Sequence, residues 1–143
     1  MHHVAIMKKS WQMIPKILSG QKTIESRWYQ TRRVPWNTIA VGDQIYFKNS
    51  GEPLTAKSQV LKVLQFELHS KEDAKKIIRK YGKDICLVDT DIDSWNKIPK
   101  YCILIFLGKT KAIPKPFQIN KSGFGAPTAW LSVPNIENIK IAA

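Results

Sequence analysis

The sequence predicts an α+β fold, on three observations. Most apolar segments alternate with a period of two between Gly, Pro, Asn and Asp turn residues, the pattern of half-buried strands. One stretch, residues 70–81, instead places Ala74, Ile77, Ile78 and Tyr81 at helical spacing. The strands follow one another with little helix between them, so they are not the alternating units that build a parallel sheet.

At 143 residues the chain can bury one core of ordinary size but not two, so 1–143 reads as a single domain. Residues 3–7 form a first strand, and Ser10 can cap a helical turn. Pro15 disfavours helix at Ile14, which predicts a regular helix over 15–19 with Ile17 and Leu18 facing inward, stopped by Gly20. Residues 23–28 alternate again. With Ile24 in the core, Thr23, Glu25 and Arg27 fall outside it, where a second element covers them or water solvates them.

Residues 34–41 read as a connecting loop closed by the Gly42-Asp43 turn, which introduces a strand over 44–48 with Ile45 and Phe47 inside. A turn at 49–53 leads to a long strand over 55–68, bulged near Leu61 where the alternation slips. Ser70 caps the amphipathic helix and Gly82 is expected to end it. The unbroken apolar run 101–107 is a buried central strand. Residues 109–127, with Pro114, Pro116 and Pro127, read as a long loop or arm with one extended piece at 117–119. A last strand over 130–133 and a short closing segment at 136–141 complete the chain.

Several chemistries lose support on spacing. Asp89, Asp91 and Asp93 alternate like a calcium loop, but Ser94 replaces the turn glycine and Lys100 the closing glutamate. Cys86 and Cys102 have no metal pattern and read as buried thiols of a reducing compartment; no metal and no cofactor is expected. His2 and His3 are expected as an exposed terminal pair. No serine, histidine and acid share a recognisable spacing, and His69 stands alone beside a helix cap. Residues 120–125 lack the phosphate-loop ending and make either a flap or a tight turn with Phe124 packed down. No signal peptide or membrane span is visible, which places the chain in the cytoplasm.

Charge and arginine placement carry the functional reading. The chain holds 23 basic and 11 acidic residues, a formal charge of +12, which fits a polyanion binder and, less specifically, a solvated lysine-rich surface. Three of its four arginines, Arg27, Arg32 and Arg33, are interleaved with Trp28, Tyr29 and Trp36. Planar guanidinium groups beside indoles suit single-stranded nucleic acid, whose bases stack and whose phosphates take bidentate pairs. Trp28 continues the Ile24 face and is read as the buried indole. Lys22, Glu25 and Arg27 admit three readings: ligand binding, structural ion pairing and catalysis. A carboxylate flanked by two cations is a weak proton acceptor, which suits Glu25 to holding an amino group or orienting Arg27.

The stretch Gly20-Gln-Lys22-Thr-Ile-Glu25-Ser-Arg27, followed by the Gly42-Asp43 turn, resembles the ASCH domain family and its Gly-x-Lys-x-x-Glu-x-Arg motif. The match covers about the first 70 residues, with 70–107 fitting by pattern. The resemblance implies a PUA-like small mixed β-barrel flanked by two or three helices, with the motif lining a cleft between barrel and helix. It also implies RNA binding or a role in RNA metabolism. In the acetylcytidine amidohydrolase branch the motif lysine and a threonine three residues later are catalytic. Lys22 matches the first, but Glu25 stands where that threonine would be.

These readings converge on an RNA-binding or single-stranded nucleic-acid-binding module. Arg27, Arg32, Arg33, Lys48 and Lys121 are expected on phosphates, with Trp36 and Ser50 on the same surface. Lys22 and Glu25 are expected to hold a base or nucleotide of cytosine type, since glutamate accepts from its amino group. The alternative is an enzyme of RNA or modified-nucleoside metabolism, of amidohydrolase or ribonuclease type, with Lys22 and Glu25 catalytic. A third reading is a protein-interaction domain for an acidic partner. The chain is expected to act as a monomer without a membrane.

Overall fold

The computed structural model describes residues 1–125 and 128–141. In chain order they form β1 (His2–Met7), α1 (Met13–Ser19), β2 (Ile24–Tyr29), β3 (Gln44–Asn49), β4 (Leu54–Glu67), α2 (Lys71–Ile85), α3 (Asp89–Asp93), β5 (Tyr101–Leu107), β6 (Lys111–Phe117) and β7 (Trp130–Val133). Short 3-10 turns lie at Lys9–Trp11 and Ile136–Asn138. The mixed α+β class is as the sequence predicts. No helix among the described residues is long and apolar enough to cross a membrane.

The strands run β2-β5-β4-β3-β1-β7, with β6 also on β4. β1 and β3 are parallel, and the other pairs are antiparallel. β4 is the shared strand: its first half pairs with β3 and β6, its second with β5. The register slips between Val60 and Lys62, the bulge that the broken alternation at Leu61 predicts. The expected barrel is not closed. Among the described residues β2 and β7 remain separate edges, so the sheet is open.

Three apolar clusters fill the fold. The sheet's interior holds Ala5, Met7, Ile45, Phe47, Ile103 and Ile105, covered by Ile14 and Ile17 of α1. On the other face of β2 and β5, Ile24, Cys102 and Leu104 meet Ala74, Ile77, Ile78 and Ile85 of α2. A third cluster joins Val4, Ile6, Leu54 and Leu131 to Ile119 and Ile136. β2 is therefore flanked on both sides, with Ile24 and Glu25 buried and the rest half-buried, so Glu25 and Arg27 are covered rather than solvated, the first of the two outcomes left open for them. Ile24 faces α2, while Glu25 and Arg27 pair in register with Ile105 and Ile103 of the interior.

Local chemistry explains the other departures. α1 starts at Met13 rather than Pro15, after Gln12 in a left-handed conformation; Pro15 sits in the first turn, where its missing N–H has no intrahelical acceptor to lose. Ile14 and Ile17 are buried and Leu18 is exposed, against expectation. α2 continues through Gly82 to Ile85 and ends at Cys86. Gly82 answers to close approach, since a Cβ there would lie 2.6 Å from the Leu87 carbonyl oxygen.

The predicted arm contains β6, whose Pro114 and Pro116 fall between the paired residues Ala112 and Phe117 on a sheet edge. Pro127 lies outside the described residues. The aspartate run forms α3: the Asp91 carboxylate accepts from the Val88 amide, Asp89 pairs with Arg79 and Asp93 with Lys71 and Lys75. Phe124 packs against the third cluster, so the 120–125 segment is a turn with its ring held down. His3 is fully buried, correcting the exposed pair. Cys86 is only half-buried, and both cysteines are free.

Candidate functional site

The edge strand β2 lines, with the consecutive residues Glu25 to Tyr29, a cleft of about 680 Å³ whose other residues include Met7, Trp11 and Met13 and also Ile85, Leu87 and Trp95. Its motif residues come from both ends of the local fold. Lys22 lies in the turn after α1, held by its amide bond to the Lys16 carbonyl. Its Nζ donates to the Ile85 carbonyl at 2.8 Å, tying the end of α2 to the mouth of β2. The Lys22 and Glu25 side chains are almost entirely buried.

Glu25 is sparsely bonded for a buried carboxylate. Its Oε1 accepts from the Ser26 amide at 3.0 Å and lies 3.7 Å from Lys22 Nζ. Its Oε2 is 3.8 Å from Arg27 Nη2, too far for a hydrogen bond. Arg27 reaches across the open edge of the sheet: Nη1 donates to the Ala129 carbonyl at 3.2 Å, and the guanidinium lies 5.1 Å from the Trp130 ring centre. The gap that keeps the sheet from closing is thus spanned by a side chain. Two buried atoms, Glu25 Oε2 and Arg27 Nε, have no hydrogen-bond partner among the described residues.

Aromatic groups line the approach. Trp28 donates through Nε1 to Ser26 Oγ at 3.0 Å and packs 5.2 Å from Trp95. It is half-buried, and so is Trp36; the fully buried indole is Trp130. Tyr29 also lines the cleft, and burial pushes its hydroxyl above the ordinary range against the opposing pull of Arg27 and Arg33. Arg33 lies over the Tyr29 ring at 5.2 Å.

The remaining predicted residues are not in the cleft. Arg32 bonds Glu67 at 2.6 Å and lies over Tyr101 at 5.4 Å, beside a smaller groove lined by Glu67, His69, Lys100 and Tyr101. Trp36 meets Tyr101 edge-on at 5.0 Å and packs toward the interior cluster. Lys48 is buried on the third-cluster side of β3, where its register partners are Ile6 and Leu54. Ser50 and Lys121 are exposed. The single surface expected of these residues is divided among separate places. Thr23 is exposed and contributes nothing to the cleft.

Sequence reasoning missed Trp95, Trp130 and the Ile85 and Ala129 carbonyls. The carbonyls carry no side-chain signal, and Trp130 lies more than a hundred residues from Arg27. Among the described residues no group of three His, Cys, Asp or Glu is placed to hold a metal.

No family model matches the sequence, and no curated protein does. Solved structures match the fold. The ASCH protein of Zymomonas mobilis superposes with a TM-score of 0.69 at 16% identity, over 96% of this chain and 90% of that one. Its tyrosine-to-phenylalanine variant gives 0.70 at 16% identity, over 96% and 93%. A serine-to-alanine variant gives 0.68 at 18%, over 96% and 91%. The chain therefore has the fold of ASCH domain structures.

Proposed function

We propose that this chain is a PUA-like RNA-binding module that takes one base of a single strand in the β2 cleft. The observation that carries the proposal is the pair of unpartnered buried atoms, Glu25 Oε2 and Arg27 Nε, on the Tyr29 face of β2 beside the cleft. Leaving such groups unsatisfied costs about 1–3 kcal/mol each, and a ligand that presents an amino group beside an acceptor satisfies both. The amino edge of cytosine meets that description. Tyr29, on the same face as Glu25 and Arg27, supplies a ring face, and Arg33 beside it is placed for a flanking phosphate. The net charge of +12 supports the same reading, and the two free cysteines suit a reducing compartment such as the cytoplasm.

The test is tryptophan fluorescence during titration with a short single-stranded RNA at two salt concentrations. Quenching is expected to weaken with a log–log slope of about −0.7 per phosphate contacted. Glu25→Gln should reduce affinity about tenfold, equivalent to roughly 1.4 kcal/mol. Absence of quenching at low salt would remove the proposal. The catalytic alternative is disfavoured by Lys22, whose amine is committed to the Ile85 carbonyl. A Lys22→Ala protein that binds RNA normally but has lost a measurable turnover would restore it.

A further inference from the structure

We propose that the cleft takes two successive nucleotides, one on each face of β2, and that Trp28 with Trp95 is the platform on which the second base stacks. The inference rests on the base site proposed above and extends its ligand to a dinucleotide step. Consecutive side chains of a strand point to opposite faces, so a cavity touched by Glu25 to Tyr29 in a row must pass around a free edge. Tyr29 lies with Glu25 and Arg27 on the face of the interior cluster, and Trp28 lies on the face covered by α2. The volume of about 680 Å³ is that of a site for a drug-sized ligand and exceeds what one base requires.

The second face is held in place by its own contacts. The bond from Trp28 Nε1 to Ser26 Oγ, at 3.0 Å, fixes the indole and uses its only donor, so the ring offers the cleft a π surface and no hydrogen bond. Trp95 packs 5.2 Å from it at a tilt of 57°. Trp95 is placed by α3: its amide donates to the carbonyl of the buried Ile92 at 3.0 Å, and α3 is tied to α2 by Arg79–Asp89 at 3.3 Å and Lys75–Asp93 at 3.5 Å. Both indoles stay half-buried, whereas Trp130, an indole that serves the core, is 3% exposed. Such a surface suits base stacking, since every base has a π face. Charge favours a nucleotide over an apolar peptide. Lys97 lines the cleft, and Pro99 lines both the cleft and the adjoining groove of Lys100 and Tyr101, where Glu67 is neutralised by Arg32. Asp91, the other acid of the cleft beside Glu25, is engaged by the Val88 amide at 2.7 Å.

The test compares cytidine monophosphate with the dinucleotide cytidylyl-cytidine on the full chain, at fixed salt, by NMR of the indole N–H signals. The dinucleotide is expected to bind about tenfold more tightly, within the range of one stacked base, and to shift the Trp28 and Trp95 signals more than the mononucleotide does. Trp95→Leu should bring the ratio of the two affinities close to one. Trp95→Phe keeps a ring in the same packing, guards against misfolding, and should retain most of the ratio. A wild-type ratio near one, or a ratio that Trp95→Leu leaves at its wild-type value, would overturn the second subsite. Glu25→Gln separates that failure from failure of the base site, because it should lower both affinities together and keep the ratio. If it lowers neither, the base site at Glu25 fails and the two-base cleft with it; if the ratio alone fails, the base site stands and the platform is overturned.

Discussion

Two buried polar clusters face the interior of the same sheet, and only one is complete. At one, His3 Nε2 bonds Asp43 Oδ2 at 2.8 Å and His3 Nδ1 meets Ser132 Oγ at 2.9 Å. Asp43 accepts only, so Nε2 carries the proton and Nδ1 accepts from the serine hydroxyl. The Ala40 amide donates to the same Asp43 oxygen at 3.0 Å, and Trp130 Nε1 lies 3.3 Å from Ser132 Oγ. At the other cluster, Glu25 and Arg27 each leave an atom unpartnered. A low dielectric strengthens a satisfied network and penalises an incomplete one, so the first cluster holds the fold, and the second is the one we propose as a site. The arrangement of serine, histidine and aspartate is a structural brace, since His3 is wholly enclosed and no described cleft reaches it.

The largest test of that contrast is Asp43→Ala. It strips the buried imidazole of its acceptor and the Ala40 amide of its partner, and should cost about 3 kcal/mol in denaturant unfolding. A loss below about 1 kcal/mol would show that the brace is dispensable. A smaller effect comes from pH. Burial lowers the His3 pKa below its ordinary 6.5 despite the raising influence of Asp43. The unfolded chain then binds the proton more readily, so the contribution is full above 6.5 and declines as pH falls through the folded pKa. Asp43 adds a second decline below 3.8: desolvation opposes its ionisation, but the His3 and Ala40 hydrogen bonds prevail and lower its pKa. Stability of the His3→Gln variant should show a smaller first decline, the remainder coming from His2, whose pKa burial also lowers, and keep the second.

The same contrast marks what the sequence made legible. Strands with one buried face announced themselves, as did the Gly42-Asp43 turn, because local alternation and turn chemistry are written within a few residues. β2 was legible as a strand over 23–28, but alternation alone left open whether Glu25 and Arg27 are covered or solvated, because what covers that face comes from distant parts of the chain. Gly82 misled for a related reason: a glycine chosen for contact with Leu87 looks the same in sequence as one that ends a helix. The prolines of β6 hid an edge strand. His3 and Ser132 are 129 residues apart and became neighbours only through the β1–β7 pairing, so no spacing could show them. The motif at 20–27 was legible as a group of charges, but its division from Arg32, Lys48 and Lys121 depended on tertiary geometry.

The smallest expected effect is the most discriminating. Glu25→Gln keeps an acceptor for the Ser26 amide and removes only the charge, whose contacts to Lys22 and Arg27 are long at 3.7 and 3.8 Å. Both cations have other bonds, to the Ile85 and Ala129 carbonyls. Unfolding free energy should therefore change by less than about 1 kcal/mol, well under the loss for Asp43→Ala. If the two substitutions proved equally damaging, Lys22, Glu25 and Arg27 would be an ion-pair brace like the His3 cluster, and the unpartnered atoms would be strain carried by the fold. If Glu25→Gln leaves the melting curve in place and weakens RNA quenching about tenfold, the incompleteness of this cluster is what distinguishes a site from a strut.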